Sequence, residues 1–334
     1  MKYGIFGRIA AGLALALGTL ASAQAQEATY EVAFDAMLGT EMRVPQDYAP
    51  SFDNPLMQRV ALLADGAQGR IGVAALDLST GQEIGILGDQ RFPMASTSKI
   101  AIAATFLEGV DQGRWKLDSR FPLMVPVRSA AFSTAVAPVR EGDRLAAREL
   151  IDLMITRSSN PATDALLAVV GGPEAVNEWA RRAGIQEFTL SRDIATLVRD
   201  DGEINPASAI DIRDSATPRA MVQLLSGLYQ GQWLSQASRD VIISTMERTI
   251  TGKRRIPAML PGGVTVAHKT GSLNNTSSDI GIITLPDGRS IALAIYVTGQ
   301  GTRLNREAKI ASIARAIHDG YAEQEARQWV NASY

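Results

Sequence analysis

The chain has 334 residues, of which 46% are hydrophobic and 20% charged, and its formal net charge is −2. This length suffices for one large domain or two modest ones. The nearly neutral charge gives no indication of nucleic-acid binding, and the lack of cysteine excludes disulfides, cysteine-based metal sites and cysteine lipidation.

The first 25 residues have the three-part layout of a cleaved secretory signal. Lys2 and Arg8 precede an apolar run at 9–20, and small residues follow at 21–25. The apolar run is too short to cross a bilayer, so no stable membrane anchor is expected. Cleavage would remove two basic residues and no acid, which changes the net charge from −2 to −4. We expect a protein secreted across the inner membrane, in the periplasm.

The two ends of the remaining chain have strand character. Residues 26–52 show weak periodicity and are interpreted as an N-terminal extension; a helix near Pro55 to Asp65 and two strand-like runs around the turn "STGQ" follow. Near the other end, "GGVTVAHKTGS" and "SDIGIITLPDGRSIALAIYVTG" indicate strands with a hairpin turn at "PDGR". A final helix is predicted around Arg306 to Gly320.

The middle of the chain is helical in pattern. Apolar residues at three- and four-residue spacing mark six segments, "SKIAIAATFLEGVDQG", "AARELIDLMITRS", "PATDALLAVVGG", "GPEAVNEWARRAG", "PRAMVQLLSGLYQG" and "LSQASRDVIISTMERT". We therefore predict an α/β (α+β) fold: one antiparallel sheet built from both chain ends, flanked by helices, with an inserted all-α lobe. A single catalytic domain would span 53–334, its α/β part at about 53–90 and 250–322 and its helical part at about 93–249.

Ser96 and Lys99 stand three residues apart in the otherwise small and apolar stretch "FPMASTSKIA". At the start of a helix they would share one face. Backbone N–H groups there favour negative charge on the serine oxygen. Apolar surroundings disfavour the charged form of a lysine, which can then accept a proton. The pair therefore indicates a nucleophile with its base, although this short motif alone is common by chance.

Two further motifs supply polar groups of the same kind. "TRSSNPATDALL" places Ser158 and Asn160 just before Pro161, which suits the first turn of a helix with Asn160 as its cap. "AHKTGSL" carries Lys269, Thr270 and Gly271 on a strand, where the glycine would allow close approach to the backbone.

Ser-x-x-Lys, Ser-x-Asn and Lys-Thr-Gly in this order resemble the serine penicillin-recognising enzymes. The flanking stretches "RFPMASTSKI", "GGPEAV", "RDSATPRAM" and "TGKRRIPAMLPGG" narrow the resemblance to class A β-lactamases, over about residues 70–321. The resemblance implies a β-lactamase/transpeptidase-like fold and a β-lactamase that hydrolyses the β-lactam amide through a serine acyl-enzyme intermediate. It implies no cofactor, no metal, a small-molecule β-lactam substrate and a monomer.

The same resemblance assigns roles. Ser96 would attack the β-lactam carbonyl and Lys99 would help to take its proton. Ser158 would pass a proton to the ring nitrogen, with Lys269 supplying positive charge beside it. Asn160 would bind the side-chain amide of the substrate, and Thr270 and Arg255 would bind its carboxylate. The N–H groups of Ser96 and Ser272 would form the oxyanion hole. The other predicted substrate-binding residues are Gly271 and Asn205.

The segment from Arg192 to Pro218 is long, polar and poorly periodic, which is typical of a functional loop. It resembles the family's omega loop, with Arg199 and Asp214 as the ion pair that pins it. Alignment on "RDSATP" puts Asn205 where the family holds the deacylating water. Asp201 then stands at the position of the glutamate base, four residues before Asn205.

One departure from the family pattern bears on this base, and a second lies at Asp164. Aspartate is one methylene shorter than glutamate, and a displacement of about 1 Å can cost about 10²-fold in rate. Glu203 is the alternative base if the loop slips by two residues. Asp164 replaces a common asparagine, as in the branch of the family that also has a histidine at the position of His268.

Functions other than β-lactam hydrolysis fit the sequence less well. With only two histidines, His268 and His318, a Ser-His-Asp hydrolase and a histidine zinc site are disfavoured. A D,D-peptidase-like serine hydrolase is disfavoured by the omega-loop elements. A β-lactam-binding protein that acylates but turns over slowly is favoured only by Asp201. The sequence does not determine the antibiotic spectrum, and Phe132 is either a lip for substrate rings or a packing residue.

Overall fold

The computed structural model describes residues 54–331, with side chains described as far as Glu323. The predicted signal peptide at 1–25 and the extension at 26–52 lie outside the described residues. All described residues belong to one compact unit, Val44–Tyr334. Among them, no helix combines the length and the hydropathy that crossing a membrane would require.

The secondary structure elements follow one another in this order: α1 (Pro55–Ala64), β1 (Ile71–Asp77), β2 (Glu83–Ile86), β3 (Phe92–Pro93), a 3-10 turn (Ala95–Ser98), α2 (Lys99–Asp111), β4 (Arg120–Pro126), β5 (Val139–Ala146), α3 (Ala147–Thr156), α4 (Asn160–Val170), α5 (Pro173–Arg182), β6 (Phe188–Thr189), α6 (Ile194–Arg199), β7 (Ser215–Ala216), α7 (Pro218–Gln230), α8 (Gln236–Glu247), a 3-10 turn (Ile256–Met259), β8 (Thr265–Leu273), β9 (Thr276–Thr284), β10 (Ser290–Thr298) and α9 (Arg303–Asn331).

The main sheet joins the two ends of the chain, as predicted. Its strand order is β2-β1-β10-β9-β8, and every neighbouring pair is antiparallel. Strand β1 pairs with β10 so that Ala74 faces Ala294. The predicted hairpin turns at "STGQ" and "PDGR" connect β1 to β2 and β9 to β10.

The two faces of the sheet carry residues of different size. On β10, Ala292, Ala294 and Tyr296 belong to the cluster shared with the helical lobe, whereas Ile291 and Leu293 pack with α1 and α9. Small side chains let a helix approach closely, and α7 contacts β1 and β10 on that face. Successive residues of a strand point to opposite faces, so this alternation fixes the register.

The helical lobe contains all six predicted helices. Pro161 lies in a first turn, as predicted. Pro173 and Pro218 also lie in first turns, and Thr217 accepts a hydrogen bond from the Ala220 N–H at 3.2 Å. One cap differs from the prediction, because Ser159 rather than Asn160 accepts the N–H of the helix start, at Ala162.

The sequence did not predict three features. Strands β4 and β5 form a two-stranded ribbon of half-buried and exposed residues, and their charged residues and prolines show no alternation. Strands β3, β6 and β7 have two residues each, too short for a pattern. Helix α6 lies inside the segment expected to be a loop, and Asp193 caps it by accepting the Thr196 N–H at 2.7 Å.

Candidate active site

Ser96 lies on the 3-10 turn that leads directly into α2, rather than on the α-helix itself. Ser96 is half-buried, and no group among the described residues forms a hydrogen bond with its Oγ. Ala95 just before it has φ of 50°, a region unfavourable for a residue with a Cβ. Such strained backbone, about 1–3 kcal/mol per residue, persists where the surrounding structure fixes it.

Strand β8 holds the turn in place. A Cβ on Gly271 would lie 2.8 Å from the Met94 carbonyl oxygen and 3.1 Å from the Ala95 Cβ. Only glycine therefore allows β8 to pass this close to the segment that presents Ser96. Gly271, which the sequence predicts to allow close approach of a ligand, is thus also required for the packing of β8 against this turn.

Two lysine ammonium groups converge on one hydroxyl. The Lys99 Nζ lies 3.3 Å from the Ser158 Oγ, and the Lys269 Nζ donates to the same oxygen at 3.0 Å. The Lys99 Nζ also donates to the Ser158 carbonyl oxygen and to the Asn160 Oδ1, each at 2.8 Å. Both lysines are fully buried, and Ser158 has a strained φ of 57°.

Burial is the main cause of lowered pKa values at both lysines. Desolvation and then the charge of Lys269 lower the pKa of Lys99 well below its ordinary value, against the opposing effect of Asp164. Desolvation lowers the pKa of Lys269 to about 7, with Asp279 opposing this shift and Arg255 adding to it. Two amines whose pKa values are lowered and that meet at one hydroxyl can serve as acid and base.

The end of β8 carries Thr270 and Ser272. The Thr270 Oγ1 is hydrogen-bonded to the Thr251 Oγ1 at 2.8 Å. The Ser272 Oγ accepts from the Arg255 Nη2 at 2.7 Å. This edge of the strand therefore presents hydroxyls beside the lysine–serine group.

Arg255 does not present its guanidinium to the cleft, contrary to the sequence prediction of direct carboxylate binding. Only 1% of the residue is exposed. Its Nη1 donates to the carbonyl oxygens of Gly271 at 2.8 Å and Ser278 at 2.7 Å, and its Nη2 pairs with Glu307 at 3.2 Å. With its donors engaged, Arg255 acts on the site through Ser272 and through its charge.

Asp201 and Asn205, the residues predicted to activate and hold the deacylating water, are hydrogen-bonded to the turn after β8. The Asp201 Oδ2 accepts the Asn274 N–H at 2.7 Å, and the Asn205 Oδ1 accepts from the Asn275 Nδ2 at 3.0 Å. The alternative base, Glu203, pairs with Arg213 at 2.9 Å. Within residues 54–323, no hydrogen bond or ion pair connects either candidate base to the serine–lysine group.

The ion pair that pins this loop was predicted with the wrong arginine. Asp214 pairs with Arg192 at 2.6 Å, whereas Arg199 pairs with the adjacent Asp200 at 2.7 Å. Asp214 is buried and also accepts the backbone N–H groups of Ser191 and Arg192. Both arginines precede an acidic stretch in the sequence, so counting back from Asp214 alone could not distinguish them.

Asp164 is the carboxylate whose charge acts on Lys99. It lies buried on α4 and accepts the N–H groups of Ile194 at 2.7 Å and Ala195 at 2.9 Å, which open α6. Desolvation raises its pKa to about 6, against these two amide donors. Asp164 therefore fastens the start of the loop helix beneath the lysine.

The two histidines lie outside the lysine–serine group. The His268 Nδ1 is 3.0 Å from the carboxylate of Asp279, and the His318 Nδ1 is 2.9 Å from that of Asp319. In the described part of the chain, no three His, Asp or Glu side chains are grouped to hold a metal ion. Phe132 is 57% exposed, which fits a lip for substrate rings better than the alternative of a packing residue.

A mixed sheet-and-helix fold with a serine, two buried lysines and a second hydroxyl at the junction of its two parts defines a class of acyl-transfer enzymes that use a serine nucleophile. Comparisons with known proteins place the chain within that class. The family model described as "Beta-lactamase enzyme family" matches residues 55–321.

Three relatives illustrate the similarity. The extended-spectrum β-lactamase PER-1 of Pseudomonas aeruginosa is 29% identical over 285 residues, covering 81% of this chain and 89% of the relative. β-Lactamase CTX-M-8 of Citrobacter amalonaticus is 32% identical over 274 residues, covering 80% and 90%. The crystal structure of a β-lactamase from Chitinophaga pinensis superposes with a TM-score of 0.70 at 30% identity, covering 80% of this chain and all of that one.

The chain belongs to the class A β-lactamase family and is a hydrolase that acts on β-lactams. The predicted fold class is confirmed by the model and by these neighbours.

Proposed function

We propose that the protein hydrolyses the β-lactam amide through an acyl-enzyme on Ser96. The main support for this proposal is the convergence of the Lys99 and Lys269 amines on the Ser158 hydroxyl, beside the turn that contains Ser96. Lys99 takes the proton of the Ser96 hydroxyl as its oxygen attacks the lactam carbonyl. Ser158 then delivers a proton to the departing ring nitrogen and receives the proton held by Lys99 in its place. Lys269 stabilises the charge on Ser158 during this transfer.

Substrate binding uses the groups around this core. Asn160 binds the side-chain amide, Thr270 binds the carboxylate, and the N–H groups of Ser96 and Ser272 bind the oxyanion beside Gly271. Each oxyanion donor contributes about 10²–10³ in rate. The contacts of Arg255 support a role as the residue that orients Ser272.

Asp201 and Asn205 stay predicted participants in release of the acyl group. Their hydrogen bonds to Asn274 and Asn275 support a second, structural role, in which they fix the loop to the turn after β8.

The biological setting follows from the signal-like first 25 residues. We propose that the chain is exported to the periplasm as a monomer without a cofactor, and that it destroys β-lactams there and so confers resistance.

Replacement of the nucleophile tests this function. Ser96→Ala should abolish hydrolysis of a chromogenic cephalosporin by the purified protein and also the transient covalent adduct in intact-mass spectra. Ser312→Ala serves as the matched control, because it removes a hydroxyl group from α9 and not from the active-site cleft. Hydrolysis that survives in Ser96→Ala contradicts the proposal, and a parent adduct that forms but never decays favours the acylating, non-hydrolysing alternative.

A further inference from the structure

We propose that Arg70, the residue before β1, is a positioning residue for release of the acyl group from Ser96. Its buried guanidinium connects the segment that leads to Ser96 with the turn that carries Asn205. This inference rests on the proposed function, in which Asp201 and Asn205 take part in release. It adds to that step a residue outside the loop at 192–214.

One side of the Arg70 guanidinium binds the 192–214 loop. Its Nε and Nη2 donate to the Pro206 carbonyl oxygen at 3.2 and 2.9 Å, and its Nη2 also donates to the Ala209 carbonyl oxygen at 3.4 Å. Only 5% of Arg70 is exposed, and Pro206 is buried as well. Because two donors of one rigid planar group meet the same oxygen, the Pro206 carbonyl is fixed in both distance and direction.

The other side of the guanidinium binds the segment before Ser96. Its Nη1 donates to the Gln90 Oε1 and to the Arg91 carbonyl oxygen, each at 3.0 Å. The Arg70 Cζ lies 4.4 Å from the centroid of the Phe92 ring, within the range of a cation–π interaction. Every N–H donor of the guanidinium is therefore used to connect the two segments.

Within the described part of the chain, Arg70 has no carboxylate as a partner. Its hydrogen bonds go to backbone carbonyl oxygens and to one side-chain amide. Burial lowers the pKa of the guanidinium to about 10, so the group keeps its charge at neutral pH. A buried cation without a counter-charge is costly, and a neutral core side chain would cost less. The reason for an arginine here is therefore the connection that its fork of donors makes.

The turn that Arg70 binds is the one that carries Asn205. The Asn205 carbonyl oxygen accepts the Ala209 N–H at 3.1 Å, which closes a turn over residues 205–209. The Asn205 Oδ1 accepts from the Asn275 Nδ2 at 3.0 Å. Arg70 binds the second and the last residue of this turn, so its guanidinium and the amide of Asn275 together determine where Asn205 lies.

The segment that leads to Ser96 has further supports. Phe92 stacks on Tyr296 of β10, and the Met94 N–H donates to the Asp214 carbonyl oxygen at 2.9 Å. Loss of the Arg70 side chain should therefore displace the turn of Asn205 more than it displaces Ser96. Formation of the acyl-enzyme should persist, whereas its release should slow.

The first experiment separates formation of the acyl-enzyme from its release in the full chain. Arg70→Ala and Arg70→Lys are mixed with a penicillin in a single turnover and followed by intact mass. Adduct formation should stay within about threefold of the parent. Decay should slow by about 10- to 100-fold in both variants, since a displacement of about 1 Å suffices for this. A single ammonium group cannot bind both segments as the guanidinium does, so decay at the parent's rate in Arg70→Lys would overturn the inference.

Val60→Ala is the control for a general loss of stability. Val60 is fully buried between α1 and the other face of the sheet, so its truncation weakens the fold without touching the loop. Its adduct should decay as in the parent, and decay slowed as much as in the Arg70 variants would count against the inference. A parent that forms no adduct, or one that never decays, would instead overturn the proposed function.

The second experiment asks whether Arg70 acts through Asn205. Asn205→Ala alone should slow adduct decay, and its combination with Arg70→Lys should slow decay no further than the slower single variant. Both changes remove the same placement of one side chain, so their effects should not multiply. Effects that multiply, or an unchanged decay in Asn205→Ala, would show that Arg70 does not position Asn205 and would refute the inference.

Discussion

At the scale of single residues, the chemistry depends on how burial changes two lysines. An ammonium group prefers water, so a lysine enclosed by protein releases its proton more readily than an exposed one. Lys99 and Lys269 are both enclosed and also repel each other. The charge of Lys269 therefore adds to burial in lowering the pKa of Lys99.

The pH dependence of catalysis should report Lys269. Its pKa is lowered to about 7, chiefly by burial, so the free enzyme loses this positive charge as the pH rises through that value. We expect kcat/KM for an anionic penicillin to fall above about pH 7. The fall in kcat should come at higher pH, because a bound carboxylate favours the protonated lysine. A kcat/KM that is flat from pH 6 to 9 would contradict this assignment.

At the scale of secondary structure elements, the 192–214 loop is held at both ends. Asp164 accepts two N–H groups where α6 begins, and Asp214 is buried against Arg192 just before β7. Between these points, Asp201 and Asn205 are bonded to the turn between β8 and β9. The loop is thus a fixed wall of the cleft, and its stability should depend on the Arg192–Asp214 pair.

Removal of one partner tests this pair. Arg192→Ala leaves a buried carboxylate without its cation, which should lower the free energy of unfolding by about 2–4 kcal/mol. Urea unfolding monitored by circular dichroism measures the change, and faster proteolysis within 192–214 should accompany it. Arg181→Ala on α5 also removes one ion pair, with both side chains mostly exposed, and should leave the midpoint nearly unchanged. Equal midpoints for the two variants would refute the assignment.

At the scale of the whole molecule, the sheet connects the two packed layers. One hydrophobic cluster joins the sheet to the helical lobe, and a second joins its other face to α1 and α9. Phe92 lies in the first cluster, stacked on Tyr296 of β10 with ring centroids 5.8 Å apart. Because Phe92 stands four residues before Ser96, this contact also positions the nucleophile's turn.

Gly72 provides a test of that packing. A Cβ at this position of β1 would overlap the ring of Phe92, which is buried and cannot turn away. Gly72→Ala should lower stability by about 1–3 kcal/mol through overpacking and reduce activity as the ring shifts. Gly262→Ala adds the same methyl group where nothing lies within 4 Å, so it is the matched control. Unchanged thermal unfolding in Gly72→Ala would show that the two layers separate more easily than the packing implies.

The sequence alone determined the long helices, the sheet built from both chain ends and the meeting of Ser158 with Lys99 and Lys269. Helical and strand periodicity, turn residues and three-residue motifs are local, so they can be recognised without knowledge of the fold. The strands of two residues and the ribbon of β4 and β5 were not predicted, because neither has a periodic apolar face.

Only the tertiary structure decided how the charged groups pair. Lys99 and Lys269 reach one hydroxyl across 59 and 111 residues of chain, Arg192 rather than Arg199 meets Asp214, and Arg255 is buried beneath β8. Several arginines and acids stand near each partner in the sequence. Which of them meet, and which lose their protons, depends on the packing of distant segments and on the water that this packing excludes.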